Sequence, residues 1–138
     1  MQYNYDFEIA SLLIMTIILL HFVFVRQFPG EKTRVFGWLL FVCEAECLMN
    51  ILSCVGLANA ALVPQRLNEV LAFAFFVLEG ASSYLIYRYF MAACALRGRE
   101  RTVFAAAGMI PFAVFLVLVA VTPVTGFFYY FRDGSYYQ

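Results

Sequence analysis

The segment 102–131 contains no aspartate, glutamate, lysine or arginine, and it is the longest uncharged stretch of the chain. About 20 apolar residues are enough for a helix to cross the hydrocarbon core of a bilayer. Three further apolar segments precede it, and 64% of the 138 residues are hydrophobic whereas only 13% are charged. A soluble domain of this length could not bury so much apolar surface. The sequence therefore predicts an integral membrane protein with the lipid bilayer as its main partner.

The apolar segments predict an all-α fold, a bundle of four transmembrane helices. The chain is expected to form one membrane domain over residues 1–138, with helices at about 8–27, 35–57, 67–96 and 102–124. A cleaved signal peptide is the alternative for the first helix. The leading residues MQYNYDFE are acidic, however, and a signal peptide begins with a positive charge. The first segment is therefore interpreted as a membrane span.

Basic residues are concentrated in two of the three connections between these helices. They are Arg26, Lys32, Arg34, Arg97, Arg99 and Arg101, against Arg66 and Arg132 on the other side. The positive-inside rule places the basic connections in the cytoplasm, and hence both chain ends outside it. We therefore expect a multi-pass protein of the inner (plasma) membrane, N-out and C-out. The formal net charge of +0 argues against a nucleic-acid partner, because no bulk positive field would hold phosphates.

The outer end of the chain, residues 125–138, is rich in aromatic residues. One interpretation is an aromatic tail at the membrane interface, where such rings are enriched. The other is a hairpin, because Asp133-Gly134 between two aromatic runs is typical of a type I′ turn. Both alternatives stay open at the level of the sequence.

Polar residues inside the predicted spans are the main indication of function, because charges at that depth are costly and usually face the protein interior. On the second helix, Glu46 and Asn50 share a face. On the third, Glu79, Ser83 and Tyr87 share another. We predict that these five residues form a seam that binds a ligand or protons. Gly80 beside Glu79 is expected to let a neighbouring helix approach closely.

Two further charged residues are assigned a structural role. Glu44 is two residues from Glu46, so it points away from the seam by about 200°. We predict that it forms an ion pair with Arg88 of the third helix, or pairs with His21 of the first. Central carboxylates make the second helix only marginally stable as an independent span.

The four cysteines lie inside the predicted helices and include no CxxC pair, so they are interpreted as small packing residues rather than a metal or redox site. No phosphate-binding glycine loop or catalytic triad is visible in the sequence. We therefore predict no metal, no cofactor and no catalytic residues, and the sequence gives no support for an enzyme.

Several segments resemble a known group of membrane proteins. They are YNYDFE (3–8), RQFP (26–29), LNEVLAFAFFVLEGASSYLIYRYF (67–90) and TPVTGFFYYFRDGSYY (122–137). These segments are similar to the N-terminal multi-helix membrane region of bacterial GGDEF-type (diguanylate cyclase) signalling proteins and histidine kinases. In those families the helices precede a cytoplasmic output domain. The GGDEF motif is absent from the present sequence, so cyclase activity is not carried over.

The resemblance implies a membrane-embedded sensory input module of a bacterial signal-transduction protein, lacking its catalytic output domain. Such a module would bind a small-molecule ligand and associate as a homo-oligomer or with further membrane helices. The alternatives are a small four-helix proton- or cation-coupled transporter, suggested by the embedded carboxylates, or a structural membrane subunit in which the polar residues only fix helix contacts.

Overall fold

Four long helices make up most of the protein. The computed structural model describes residues 6–25, 30–59, 62–94, 98–132 and 135–137. The helices are α1 (Asp6–Phe24), α2 (Glu31–Ala58), α3 (Gln65–Ala93) and α4 (Gly98–Thr125), followed by strands β1 (Tyr130–Arg132) and β2 (Ser135–Tyr137). Each helix is long and apolar enough to cross a membrane by length and composition. The predicted set of four membrane-length helices is confirmed.

The helix starts differ from the prediction in a consistent direction. Helices α2, α3 and α4 each begin before the predicted residue, because they continue through charged residues such as Glu31, Arg66 and Arg99. A limit drawn from hydropathy stops at the first charge, whereas a helix extends as long as its backbone hydrogen bonds can form. The predicted ends at residues 27 and 96 lie outside the described residues.

Consecutive helices pack against each other, and α2 makes its most extensive contacts with α3. Glu31 at the start of α2 forms ion pairs with Arg88 near the end of α3 and with Arg101 near the start of α4. These contacts place the start of α2, the end of α3 and the start of α4 at the same end of the molecule.

The buried core lies at the opposite end, where α3, α4 and the root of the hairpin meet. Its most enclosed members are Ala72, Phe76, Val119 and Tyr129. The Tyr129 ring stacks on that of Phe76, with ring centroids 5.6 Å apart and ring planes at 7°. Elsewhere apolar side chains such as Leu13 and Ile17 of α1 face outward. An outward apolar surface of this kind is what a lipid environment requires.

The chain leaves α4 through a glycine and then forms a hairpin. Gly126 has φ +65°, and its N–H donates to the Thr122 carbonyl at 2.7 Å, which closes the helix. Strands β1 and β2 then pair antiparallel, with Tyr130 opposite Tyr137. Of the two alternatives for the aromatic end, the hairpin is the one observed. The Asp133-Gly134 turn itself lies outside the described residues.

Candidate functional site

The two central carboxylates predicted for the seam lie at matching levels of neighbouring helices. Glu79 is at the middle of α3 and Glu46 is near the middle of α2. The Glu46 carboxylate interacts electrostatically with Ser82 and Glu79 of α3, and the Ser82 hydroxyl also donates to the Glu79 carbonyl at 2.9 Å. Glu46 and Glu79 are therefore within electrostatic range of each other across the α2–α3 interface. Ser82 was not singled out from the sequence, although its spacing of three residues from Glu79 places it on the same face of the helix.

Asn50 turns towards a different neighbour. Its amide Nδ2 donates to Glu8 Oε1 of α1 at 3.2 Å. Four residues advance a helix by slightly more than a full turn, about 40° beyond it, so Asn50 is rotated away from Glu46. Because α2 packs on both α1 and α3, that rotation gives the two residues different partner helices. Asn50 belongs to an α1–α2 contact rather than to the Glu46–Glu79 group.

The structure corrects the ion pair predicted between Glu44 and Arg88. Arg88 Nη2 lies 3.7 Å from Oε1 of Glu31, and its Nη1 lies 3.4 Å from the Tyr84 hydroxyl. Glu44 instead accepts a 2.5 Å hydrogen bond from the Thr16 hydroxyl of α1. Glu31 and Glu44 are thirteen residues apart on one helix, which is about 20 Å along its axis. Arg88 reaches the carboxylate at its own end of the bundle and cannot reach both.

A cavity of about 580 Å³ lies beside the seam, between α3 and α4. Three of the five predicted seam residues border it, namely Glu79, Ser83 and Tyr87. The remaining lining consists mostly of aromatic and small residues: Gly80, Tyr84, Phe104, Ala107, Gly108, Pro111, Phe112 and Phe115. A concave apolar site with a few converging polar groups is the usual form of a small-molecule site.

Two glycines allow the aromatic walls of this cavity to form. A β-carbon at Gly80 would lie 2.6 Å from the Phe115 ring, and one at Gly108 would collide with the Tyr87 ring. The close approach predicted at Gly80 is thus confirmed, with α4 as the neighbour. Tyr87 is held in place by its hydroxyl, which donates to the Phe104 carbonyl at 2.6 Å. The missing side chains at Gly80 and Gly108 therefore leave room for the Phe115 and Tyr87 rings.

Proline within α4 removes a helical hydrogen bond beside the cavity. Pro111 lies inside the helix and has no N–H, so the Ala107 carbonyl loses its usual partner four residues on. Ala107 and Pro111 both line the cavity. The sequence reveals Pro111 plainly, but only the packing of α3 on α4 shows that it borders the same cavity as Glu79.

Two other cavities have a different chemistry. One of about 530 Å³ between α1 and α2 is bordered by Arg34, Trp38 and Phe41. Another of about 570 Å³ lies at the hairpin end, next to Gln65, Glu69 and Tyr129. Neither includes a carboxylate from the middle of a helix. The α3–α4 cavity is therefore the candidate site of the described structure.

The cysteines and other potential metal ligands do not gather at this site. Cys43, Cys47, Cys54 and Cys94 are free thiols. Within the described ranges, no group of three or more histidine, cysteine, aspartate or glutamate side chains is placed to hold a metal ion. The chemistry available at the cavity is that of one carboxylate, a few hydroxyls and aromatic faces.

Comparison of the chain with protein-family models, with curated proteins and with solved structures gives no match.

Proposed function

We propose that this chain is a membrane-embedded input module of a bacterial signal-transduction protein, which binds a small molecule between α3 and α4. The observation that carries the proposal is the cavity of about 580 Å³ whose border includes Glu79, Ser83 and Tyr87. Cavities of roughly 300–1,000 Å³ are typical of sites for small molecules. The resemblance of segments such as 67–90 and 122–137 to bacterial signalling proteins supports the signalling role.

The arrangement of the helices supports a route by which binding could be passed on. Helix α3 has the cavity on its α4 side and the extensive α2 contact on the other. Glu79 borders the cavity and is also an electrostatic neighbour of Glu46 on α2. A ligand that changes the α3–α4 spacing would therefore also change the environment of Glu46. At the basic end, the ion pairs of Glu31 connect the same three helices.

The proposed orientation follows from the basic connections. With the positive-inside rule, the end that carries Glu31, Arg88 and Arg101 faces the cytoplasm, and the hairpin faces the outside. A change in helix packing would then reach the cytoplasmic end through these charged residues. The cavity lies near mid-bilayer, because Glu79 and Pro111 both lie at the middle of their helices.

A second candidate is a proton- or cation-coupled transporter. The observation that favours it is the proximity of Glu46 and Glu79. Two neighbouring carboxylates within a membrane could bind a proton in exchange for a cation. Uptake of an organic cation into proteoliposomes, driven by a pH gradient, separates the candidates. A sensory module binds without transport, whereas a transporter shows gradient-dependent uptake in at least one orientation.

The test of the proposed site is to fill the cavity. Ala107→Trp places a large ring among the lining residues, whereas Ala113→Trp makes the same change at an exposed position of α4 outside the lining. We expect small amphipathic molecules to raise the melting temperature of the wild type and of Ala113→Trp in lipid nanodiscs. The same molecules should not raise the melting temperature of Ala107→Trp. Equal shifts for all three proteins would place the binding elsewhere and overturn the proposed site.

A further inference from the structure

We infer that the ligand of the α3–α4 cavity is a singly charged organic cation with an aromatic or branched apolar body. This inference rests on the proposed function, since it specifies the class of molecule that the same cavity accepts. Three properties of the cavity support it: an uncompensated carboxylate, a wall of aromatic faces and a volume far larger than a metal ion needs.

Glu79 is the only acidic or basic side chain among the lining residues. Among the described residues, the ion pairs of lysine and arginine are those of Arg88 and Arg101, and both go to Glu31. Arg88 is nine residues from Glu79, about 13 Å along α3. Glu46 of α2, which interacts electrostatically with Glu79, is also acidic. A cationic ligand would supply the positive charge that Glu79 lacks.

The aromatic walls are suited to the same charge. Tyr84 of α3 and Phe112 of α4 both line the cavity and stack with centroids 4.8 Å apart and an angle of 14°. Because Arg88 Nη1 lies 3.4 Å from the Tyr84 hydroxyl, the aromatic surface suited to a cation is the one nearer Glu79, where the Phe115 ring packs against Gly80. The faces of aromatic rings attract cations, and the attraction grows when water is excluded. An anionic ligand would meet repulsion from Glu79 and from the aromatic faces.

Size and ligand count exclude a bare metal ion as the occupant. Divalent cations take several oxygen ligands in a small shell, whereas Glu79 is the only carboxylate among the lining residues. A volume of about 580 Å³ leaves room for an apolar body beside the charged group. One carboxylate matches one positive charge. The chemistry therefore specifies a monovalent organic cation, and an uncharged lipid chain becomes an outcome of the test.

The inference is tested with a pair of probes that have the same shape and differ in charge. Benzyltrimethylammonium and neopentylbenzene differ only in the replacement of the quaternary nitrogen by carbon. Binding of each tritiated probe is measured by scintillation proximity on the full chain in lipid nanodiscs, with empty nanodiscs subtracted. The proteins are the wild type, Glu79→Gln, Ala107→Trp and Glu69→Gln. Glu69→Gln is the matched control, because it is the same substitution on α3 at a residue outside this cavity.

We expect the cation to bind the wild type and Glu69→Gln with equal affinity. Its affinity for Glu79→Gln should be about tenfold lower or weaker still, and binding to Ala107→Trp should not be measurable. If Glu79→Gln retains full affinity, or if neopentylbenzene binds as well as the cation, the inference on charge is overturned. If the probes that bind the wild type fail to bind Ala107→Trp, the cavity is still supported as the binding site. If both probes bind Ala107→Trp as well as they bind the wild type, the proposed site is overturned as well. If the cation does not bind the wild type, the inference is overturned. Circular dichroism and size-exclusion profiles establish that each variant is folded.

Discussion

The Thr16 hydroxyl of α1 and the Glu44 carboxylate of α2 are joined by a hydrogen bond of 2.5 Å. The same hydroxyl lies 2.8 Å from the Leu12 carbonyl, so its single proton is shared between that carbonyl and the Glu44 carboxylate. The other oxygen of Glu44, Oε2, is buried and has no hydrogen-bond partner in the described part of the chain. Thr16 is therefore the polar contact on which the position of Glu44 depends.

Replacing Thr16 with valine keeps the shape and removes the hydroxyl. We expect Thr16→Val to lower the free energy of unfolding by about 1–2 kcal/mol, because a half-buried carboxylate loses its donor. Thr125→Val is the control, since the Thr125 hydroxyl bonds only the Val121 carbonyl at an exposed position, and it should cost much less. Unfolding titrations with sodium dodecyl sulfate in mixed micelles measure both. Equal losses for the two variants would contradict the assigned role of Thr16.

Gly108→Ala tests how tightly α3 and α4 approach. Alanine is favoured over glycine in a helix by about 1 kcal/mol. At this position its β-carbon would collide with the Tyr87 ring, which is held by the bond to the Phe104 carbonyl. We expect a net loss of about 1–3 kcal/mol in unfolding free energy, measured in the same mixed micelles.

Two comparisons isolate this collision. Gly30→Ala places a β-carbon where no atom lies within 4 Å, so it causes no collision and should cost at most about 1 kcal/mol through the N-cap of α2. In a Tyr87→Ala background, Gly108→Ala should become neutral or stabilising, because the ring that it strikes is gone. A loss that persists without the ring would show that another contact is responsible.

The ion pairs of Glu31 should contribute little to stability, and the contribution should depend on salt. The side chains of Arg88, Arg101 and Glu31 are 37%, 52% and 34% exposed. Pairs with this exposure are worth at most about 1 kcal/mol and are screened by salt. Glu31→Gln removes both pairs and Arg101→Gln removes one, so we expect the larger effect from Glu31→Gln.

The measurement is thermal unfolding at low and at high ionic strength. Arg99→Gln is the control, because Arg99 is an exposed arginine of the same helical turn as Arg101. Its substitution should change the melting temperature least. Losses in Glu31→Gln that stay the same in about 1 M salt would rule out a screened electrostatic contribution.

Tyr129 gives a prediction about alkaline pH. Burial, and to a smaller extent the charge of Glu69, raise the pKa of the Tyr129 hydroxyl above its ordinary value of 10.0. Between that value and the higher folded-state pKa, the unfolded chain loses the proton while the folded chain keeps it. The folded protein therefore loses stability as pH rises above 10.

The slope of unfolding free energy against pH above 10 should be reduced in Tyr129→Phe, which has no proton to lose. Glu69→Gln should reduce it less, since the charge is the smaller of the two causes. Tyrosinate absorbance at 295 nm, taken as the difference between wild type and Tyr129→Phe, reports the ionisation directly. A difference spectrum that titrates below 10 would contradict the raised pKa.

Much of the fold was predictable because it depends on local composition. The uncharged segment 102–131 and its three apolar predecessors required helices of membrane length, since an unsatisfied backbone is too costly in lipid. The hairpin was one of two open alternatives, because Asp133-Gly134 indicates a turn but not what the strands pack on. Its root is fixed by the stacking of Tyr129 on Phe76, a contact between residues far apart in sequence.

The polar residues show where sequence reasoning ends. Periodicity placed Glu79, Ser83 and Tyr87 on one face of a helix, and all three border the same cavity. It also placed Asn50 with Glu46, and Glu44 was predicted to pair with Arg88 or His21; there the structure differs. Periodicity gives the direction of a side chain around the axis of its helix. It contains no information about which neighbouring helix lies in that direction.

The amino-acid sequence by itself determined the number of long helices, their apolar surfaces and the presence of charges near their centres, because these depend on residues close together in the chain. Only the tertiary structure decided that Asn50 contacts Glu8, that Glu44 contacts Thr16, and that Pro111 and Gly108 lie beside Tyr87 and Glu79 around one cavity. The physical reason is that partners are chosen by the packing of whole helices. That packing depends on glycines and aromatic rings meeting across interfaces, as at Gly80 and Phe115.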